Sequence, residues 1–246
     1  MYAVFRKEIT GFFSSLTGYV VIIVFLLANS LIMWIMPGQW NVLDSGYAGL
    51  DTLFVISPWL FLFLVPAVTM RMLAEEKRQG TLELLMSRPL SERSVIYGKF
   101  FASVVLVFIS LIPCIVFIIS IWILGETPGN FDHGGTAGSF IGLFLLAAVY
   151  ASIGLLSSSL TDNQVVAFII AIVLCFFTWT GFDYISSLKV LSKADEFIVR
   201  LGINEHYRSI SRGVIDSADI AYYFIVTILF NEATRLSLLS KNRKKA

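Results

Sequence analysis

The 246-residue chain is 57% hydrophobic and only 14% charged, against the roughly 45–50% apolar and 25% charged residues of soluble domains. Its net charge of +1 gives no global basic field, so no nucleic-acid partner is expected. Cys114 and Cys175 each sit in a long apolar run without a second ligand type nearby, which gives a disulfide framework or metal site no support and predicts small buried hydrophobes.

The first element in chain order is an amphipathic helix over residues 1–15. Phe5, Ile9, Phe12, Phe13 and Leu16 recur at helical spacing with Arg6, Lys7, Thr10 and Ser14 between them, the pattern of a helix lying in a membrane interface. About 20 apolar residues are needed to cross the hydrocarbon core. On that criterion the sequence predicts six transmembrane helices, 16–36, 53–72, 95–124, 137–160, 165–185 and 220–239, in a single membrane domain over 1–246. The first stretch is longer than the h-region of a signal peptide, about 7–15 residues, and lacks a small-residue cleavage site, so it is expected to stay as a span.

Pro66 and Pro113 fall mid-span and predict kinks in the second and third helices. In the fourth span Gly138, Gly142, Ala147, Ala151, Gly154 and Ser158 lie three to five residues apart, which predicts a face packed inside the bundle. Residues 186–219 carry an amphipathic stretch around Phe197, Ile198 and Leu201. It reads either as an outside helical hairpin dipping into the outer leaflet or as a surface helix on the bundle. The sixth span is apolar only in its first half. Glu232 and Arg235, one turn apart, form a candidate intramembrane pair.

Lysine and arginine placement orients the bundle. With the N-terminus inside, thirteen of the 18 Lys and Arg residues fall on the cytoplasmic side, and the loops around 37–51 and 125–136 carry none. The positive-inside rule therefore predicts that both termini are cytoplasmic.

The loop between spans two and three holds the most informative punctuation. Gly80 is expected to end the helix leaving span two, Thr81 to cap a new one, and Glu83 to favour its positive end. Arg88 precedes Pro89 and is biased out of the helix. A short helix of roughly 10 Å is thereby isolated over 81–88, with Leu82, Leu85 and Met86 on one face and Glu83 and Arg88 away from it. A helix this short is marginal in water. Either its own bundle or a cytoplasmic partner with a matching groove must hold it.

This run, E-x-x-x-G-T-L-E-x-L-x-x-x-P-L from Glu76 to Leu90 followed by Gly98-Lys99, resembles the signature of ABC type 2 transporter permeases. The resemblance extends over the whole chain, from the interfacial helix to the outside segment ending Arg212-Gly213-Val214-Ile215-Asp216. Within the family the chain looks most similar to gliding-motility permeases. That likeness rests on Phe12-Phe13-Ser14-Ser15-Leu16-Thr17-Gly18-Tyr19, Gly202-Ile203-Asn204-Glu205-His206-Tyr207 and Thr234-Arg235-Leu236-Ser237-Leu238.

The resemblance implies that 81–88 is a coupling helix seated in a cleft of a separate ATPase subunit. Glu75, Glu76, Gly80, Thr81, Leu82, Glu83, Leu84, Leu85 and Pro89 are then the ATPase-coupling residues. It also implies a second permease subunit, or a second copy, paired largely through spans one and five, in a bacterial inner membrane.

The chain has no G-x-x-x-x-G-K-[ST] run. ATP and magnesium are therefore expected on the partner, and the chain itself is not expected to be an enzyme. His133 and His206 stand outside any H-E-x-x-H or serine–histidine pattern, which leaves intramembrane proteolysis without a basis. They are expected at the surface or interface.

Overall fold

The computed structural model describes residues 1–86, 91–126, 131–187 and 199–243, and helices are the only regular structure among them. Among the described residues, five helical stretches are long and apolar enough to cross a membrane: Gly18–Ile35, Asp51–Arg78, Glu92–Leu124, His133–Leu160 and Gln164–Ser187.

Helix α1, Tyr2–Phe13, lies against the start of the third stretch, where a Cβ on Gly98 would meet Val4 at 3.1 Å. Its inward residues are Val4 and Phe12. Leu16, expected on the same apolar face, is 80% exposed, because α1 ends at Phe13 and Leu16 opens a new helix, α2, Leu16–Ser30. The Arg71 guanidinium lies 5.0 Å over the Phe12 ring and bonds Ser15 Oγ at 3.3 Å, latching the α1–α2 corner to the second span. The short α3, Val42–Ser45, follows in the loop.

Helix α4, Asp51–Arg78, is about 42 Å long at 1.5 Å per residue, some 12 Å more than the roughly 30 Å core needs. Its last turns carry Glu75, Glu76, Lys77 and Arg78, charges that favour the aqueous side of the interface over the hydrocarbon. After α5, Thr81–Met86, the third span runs as α6, Glu92–Leu111, a 3₁₀ turn at Ile112–Cys114, and α7, Ile115–Leu124. The break falls at Pro113, which lacks the N–H an α-helix needs there.

Helix α8, His133–Leu160, is the centre of the bundle, with 67% of its span window buried against 22% for the first and 28% for the fifth. Gly138, Gly142, Ala147, Ala151, Gly154 and Ser158 are all buried. A Cβ on Gly154 would lie 1.9 Å from Thr69 Oγ1 of α4. The small residues thus let α4 and α8 approach more closely than side chains allow.

The fifth span is α9, Gln164–Phe176, a π-turn at Phe177–Gly181, and α10, Phe182–Ser187. Helix α11, Ile203–Ser211, packs on α8 by Ile203, Tyr207 and Ile210, all buried. Phe197 and Ile198 of the expected amphipathic stretch lie outside the described residues. The last helix, α12, Ser217–Arg243, has the length of a span but a polar interior stripe. Thr227, Asn231 and Thr234 are buried on its side toward α8, and this stripe is what dilutes its apolar signal.

Pro58 lies in the second turn of α4 and offers no N–H to the Phe54 carbonyl. The buried Tyr207 hydroxyl donates to that carbonyl at 2.8 Å, and burial pushes its pKa up, so it remains a donor. Tyr207→Phe is expected to orphan this acceptor and destabilise the chain by about 1–3 kcal/mol, measured by denaturant unfolding in detergent; an unchanged midpoint would show that the carbonyl needs no partner. Beside it, His206 Nδ1 lies 2.7 Å from Asp219 Oδ1 and Nε2 lies 2.8 Å from the Arg200 carbonyl. Both partners are oxygen acceptors. His206 is therefore a clamp between α11 and α12, held through both ring nitrogens.

Candidate functional site

The chain leaves α4 through a short turn. Gln79 N–H donates to the Glu75 carbonyl at 3.0 Å and Gly80 N–H to the Lys77 carbonyl at 3.1 Å. Gly80 has φ +70°, a left-handed conformation that glycine adopts without the Cβ penalty. Thr81 was expected to cap α5. Its hydroxyl instead reaches back and donates to the Glu76 carbonyl at 3.3 Å, closing an orphan acceptor of α4, because Thr81 is already helical.

Within α5, Leu82 is buried in the main hydrophobic core, Leu85 is half-buried, and Thr81 and Glu83 are exposed. The bundle itself therefore holds the helix through Leu82, and Thr81 and Glu83 remain on the outer side. The side chain of Leu84 and all of Pro89 lie outside the described residues.

The last two turns of α4 are gripped from four directions. Glu76 Oε1 accepts from Lys7 Nζ of α1 at 2.7 Å and pairs with Lys99 Nζ of α6 at 3.0 Å. Lys99 is fully buried. Its three N–H bonds point at Glu76, at Glu8 Oε1 at 2.6 Å and at the Met72 carbonyl at 2.8 Å, which uses every donor an ammonium has.

Two lysines and two glutamates make the cluster neutral, the condition under which buried charge is tolerated. Partial burial works against the Lys7 ammonium, but the hydrogen bond and charge of Glu76, with the charge of Glu8, outweigh it and raise its pKa.

Glu75 accepts from Arg78 at 2.9 Å and, through its other oxygen, from Gln164 at the start of α9. Lys77 donates to the Ser159 carbonyl of α8. Ser158 Oγ receives the N–H groups of Leu73 and Ala74 at 3.0 and 2.9 Å and donates to the Met70 carbonyl at 2.8 Å. That hydroxyl is inserted into the α4 hydrogen-bond ladder, so α8 holds α4 by its backbone.

Glu232 and Arg235 bond each other at 3.0 Å. Glu232 also pairs with Arg93 at 3.2 Å and Arg235 with Glu92 at 3.8 Å. Since Glu92 and Arg93 form the first turn of α6, the pair sits at the end of the bundle that carries α5 and joins α12 to α6.

Sequence reasoning missed Lys7, Glu8, Lys99, Ser158 and Gln164 as members of this site. Lys99, used in the sequence only within the Gly98-Lys99 pair of the resemblance, carried the clearest further signal. It lies inside the apolar run 95–124, where an ionisable residue demands a partner.

Among the described residues, an all-helical bundle with five helices long and apolar enough to cross a membrane, and a short helix braced at one end, defines a multi-pass membrane protein. Residues 53–214 match the family model described as ABC-2 family transporter protein, and this chain belongs to that family. A comparison with curated proteins gave no match.

Proposed function

We propose that this chain is the permease subunit of an ATP-driven transporter and that α5 couples it to a separate ATPase subunit, which carries ATP and magnesium. In this reading α12 is the sixth span, and α5 and both termini face the cytoplasm of a bacterial inner membrane. A second permease, or a second copy of this chain, covers the first and fifth spans, whose burial within the chain is the lowest. The three gliding-motility-like stretches favour a transporter that moves substrate or force in gliding.

One observation carries the coupling assignment. Helix α5 is anchored inward by Leu82, shows Thr81 and Glu83 outward, and follows a helix whose end is tied to α1, α6, α8 and α9. A push on α5 is then delivered to the bundle rather than lost in a loose loop.

Glu83→Lys is expected to reduce the ATPase retained on affinity-purified permease by at least about tenfold, through like-charge contact at the docking face, while the permease is still recovered folded in detergent. ATPase retention at the unsubstituted level would refute the assignment. Leu82→Asp is the wrong probe, because it places a carboxylate in the core and removes the fold along with the docking. For orientation, a Glu83→Cys variant is expected to react with an impermeant maleimide only in opened membranes; labelling of intact cells would reverse the topology.

A further inference from the structure

At the end of the bundle remote from α5, a cavity of about 570 Å³ opens between the start of α4, the end of the fifth span and α11. That volume lies within the roughly 300–1,000 Å³ of small-molecule sites. Asp51 and Trp59, both lining it, are eight residues apart on α4 and so about 12 Å apart along the axis. The headgroup zone of one leaflet is only about 5–8 Å deep. The cavity therefore runs from headgroup depth into the hydrocarbon.

Its two halves differ in chemistry. The deeper walls are Val55, Trp59 and Trp179. Val55 and Trp59 are also exposed on the outer surface of the bundle, so the deep half opens sideways toward lipid. The rim carries Arg208 and Arg212, one turn apart at the end of α11, and Asp51 and Asp183. Neither guanidinium has a hydrogen bond or ion pair among the described residues, although two carboxylates line the same cavity. Asp183 is held in place by Asn204 Nδ2, which donates to its Oδ2 at 2.7 Å.

The geometry points to a binding site for a zwitterionic phospholipid. Its phosphate rests on Arg208 and Arg212, whose fork of donors suits phosphate oxygens. Its ammonium faces Asp51 and Asp183, and its first methylenes lie against Val55, Trp59 and Trp179, whose apolar bodies form the deep wall. A free soluble anion has no use for the apolar half. A lipid with net negative charge leaves the two carboxylates opposed. The volume fits a headgroup and the start of a chain, so the remaining acyl length stays in the bilayer. The leaflet assignment rests on the proposed orientation; the lipid binding itself does not, and the maleimide experiment fails or succeeds independently of it.

The test uses the full chain with Trp34, Trp40 and Trp122 replaced by Phe, leaving Trp59 and Trp179 of the cavity wall as its tryptophans. It is placed in nanodiscs of phosphatidylglycerol doped with phosphatidylethanolamine that carries brominated acyl chains. Quenching of the two cavity tryptophans is expected to show a component that saturates at low mole fraction, and R208A/R212A to shift its half-point about tenfold higher with melting unchanged. Val55→Phe, which fills the deep half and keeps the arginines, is expected to weaken quenching as well. Brominated phosphatidylglycerol in a phosphatidylethanolamine background is expected to quench only in proportion to its bulk amount. Equal saturation by both lipids, saturation that survives R208A/R212A, or relief of quenching by inorganic phosphate would each overturn the proposal, the last by marking a soluble-anion site.

Discussion

Lys99→Met is expected to be among the most damaging single substitutions in the chain, lowering stability by about 3–5 kcal/mol. The buried ammonium satisfies Glu8, Glu76 and the Met72 carbonyl at once. Methionine fills a similar volume but donates nothing. Glu8 loses the partner it has at 2.6 Å, Glu76 keeps only Lys7, and the second oxygen of Glu76 is already buried without a bond. Removing one member of a buried ion cluster costs more than replacing the cluster, because the survivors keep their desolvation penalty. Lys99→Met combined with Glu8→Leu and Glu76→Gln is therefore expected to recover a large part of the loss. Urea unfolding of the variants in detergent checks this; costs that add, with the triple variant the worst, would show that Lys99 acts through packing alone. The same variant bears on coupling, since the cluster fixes the end of α4 from which α5 hangs.

The coarse architecture was legible because a membrane imposes one-dimensional rules. Runs of apolar residues had to be helices and Gly80 had to end one of them, since each follows from a residue and its immediate neighbours; proline is less decisive, for Pro113 breaks the third span whereas α4 runs through Pro58 and Pro66. The charged end of α4 was harder. The sequence placed the second span at 53–72, whereas the helix runs on to Arg78. Glu75, Glu76 and Lys77 look like loop residues until their partners on α9, α1, α6 and α8 are known, and three of those partners, Gln164, Lys7 and Ser159, lie 69 to 89 positions away along the chain.

Thr81 illustrates a second limit. A hydroxyl between two helices can serve the one ahead or the one behind, and only the geometry of the turn decides between them. Leu82 illustrates a third. Its spacing marked an apolar face, but whether the bundle or a partner covers that face is a tertiary fact. Once Leu82 is found in the core, the outward residues become the informative ones, and Glu83 is the residue to mutate.

Gly154→Val is expected to cost about 3 kcal/mol or more, at the upper end of overpacking substitutions. A Cβ alone would lie 1.9 Å from Thr69 Oγ1 and 2.8 Å from Thr69 Cβ, so α4 and α8 must separate before any side chain fits. One turn further on, Ser158 threads its hydroxyl into the α4 ladder between Ala74 N–H and the Met70 carbonyl. Separation at Gly154 also pulls that hydroxyl out and leaves buried backbone groups of α4 unpaired. In lipid, water is not at hand to replace it. The damage then travels toward Glu76 and α5, and ATPase stimulation should fall along with stability.

A compensating change separates this steric account from a loss of helix flexibility. Thr69→Ala removes Oγ1 but keeps the Cβ contact, so it should rescue Gly154→Ala only in part. Thr69→Gly clears both atoms and should rescue it further, less the roughly 1 kcal/mol that a glycine costs inside a helix. Double-mutant cycles on unfolding free energy read the coupling directly. If Gly154→Ala and Thr69→Gly proved additive, the two helices would not be in contact at this point, and the close approach of α4 to α8 would have to be abandoned as the source of the effect.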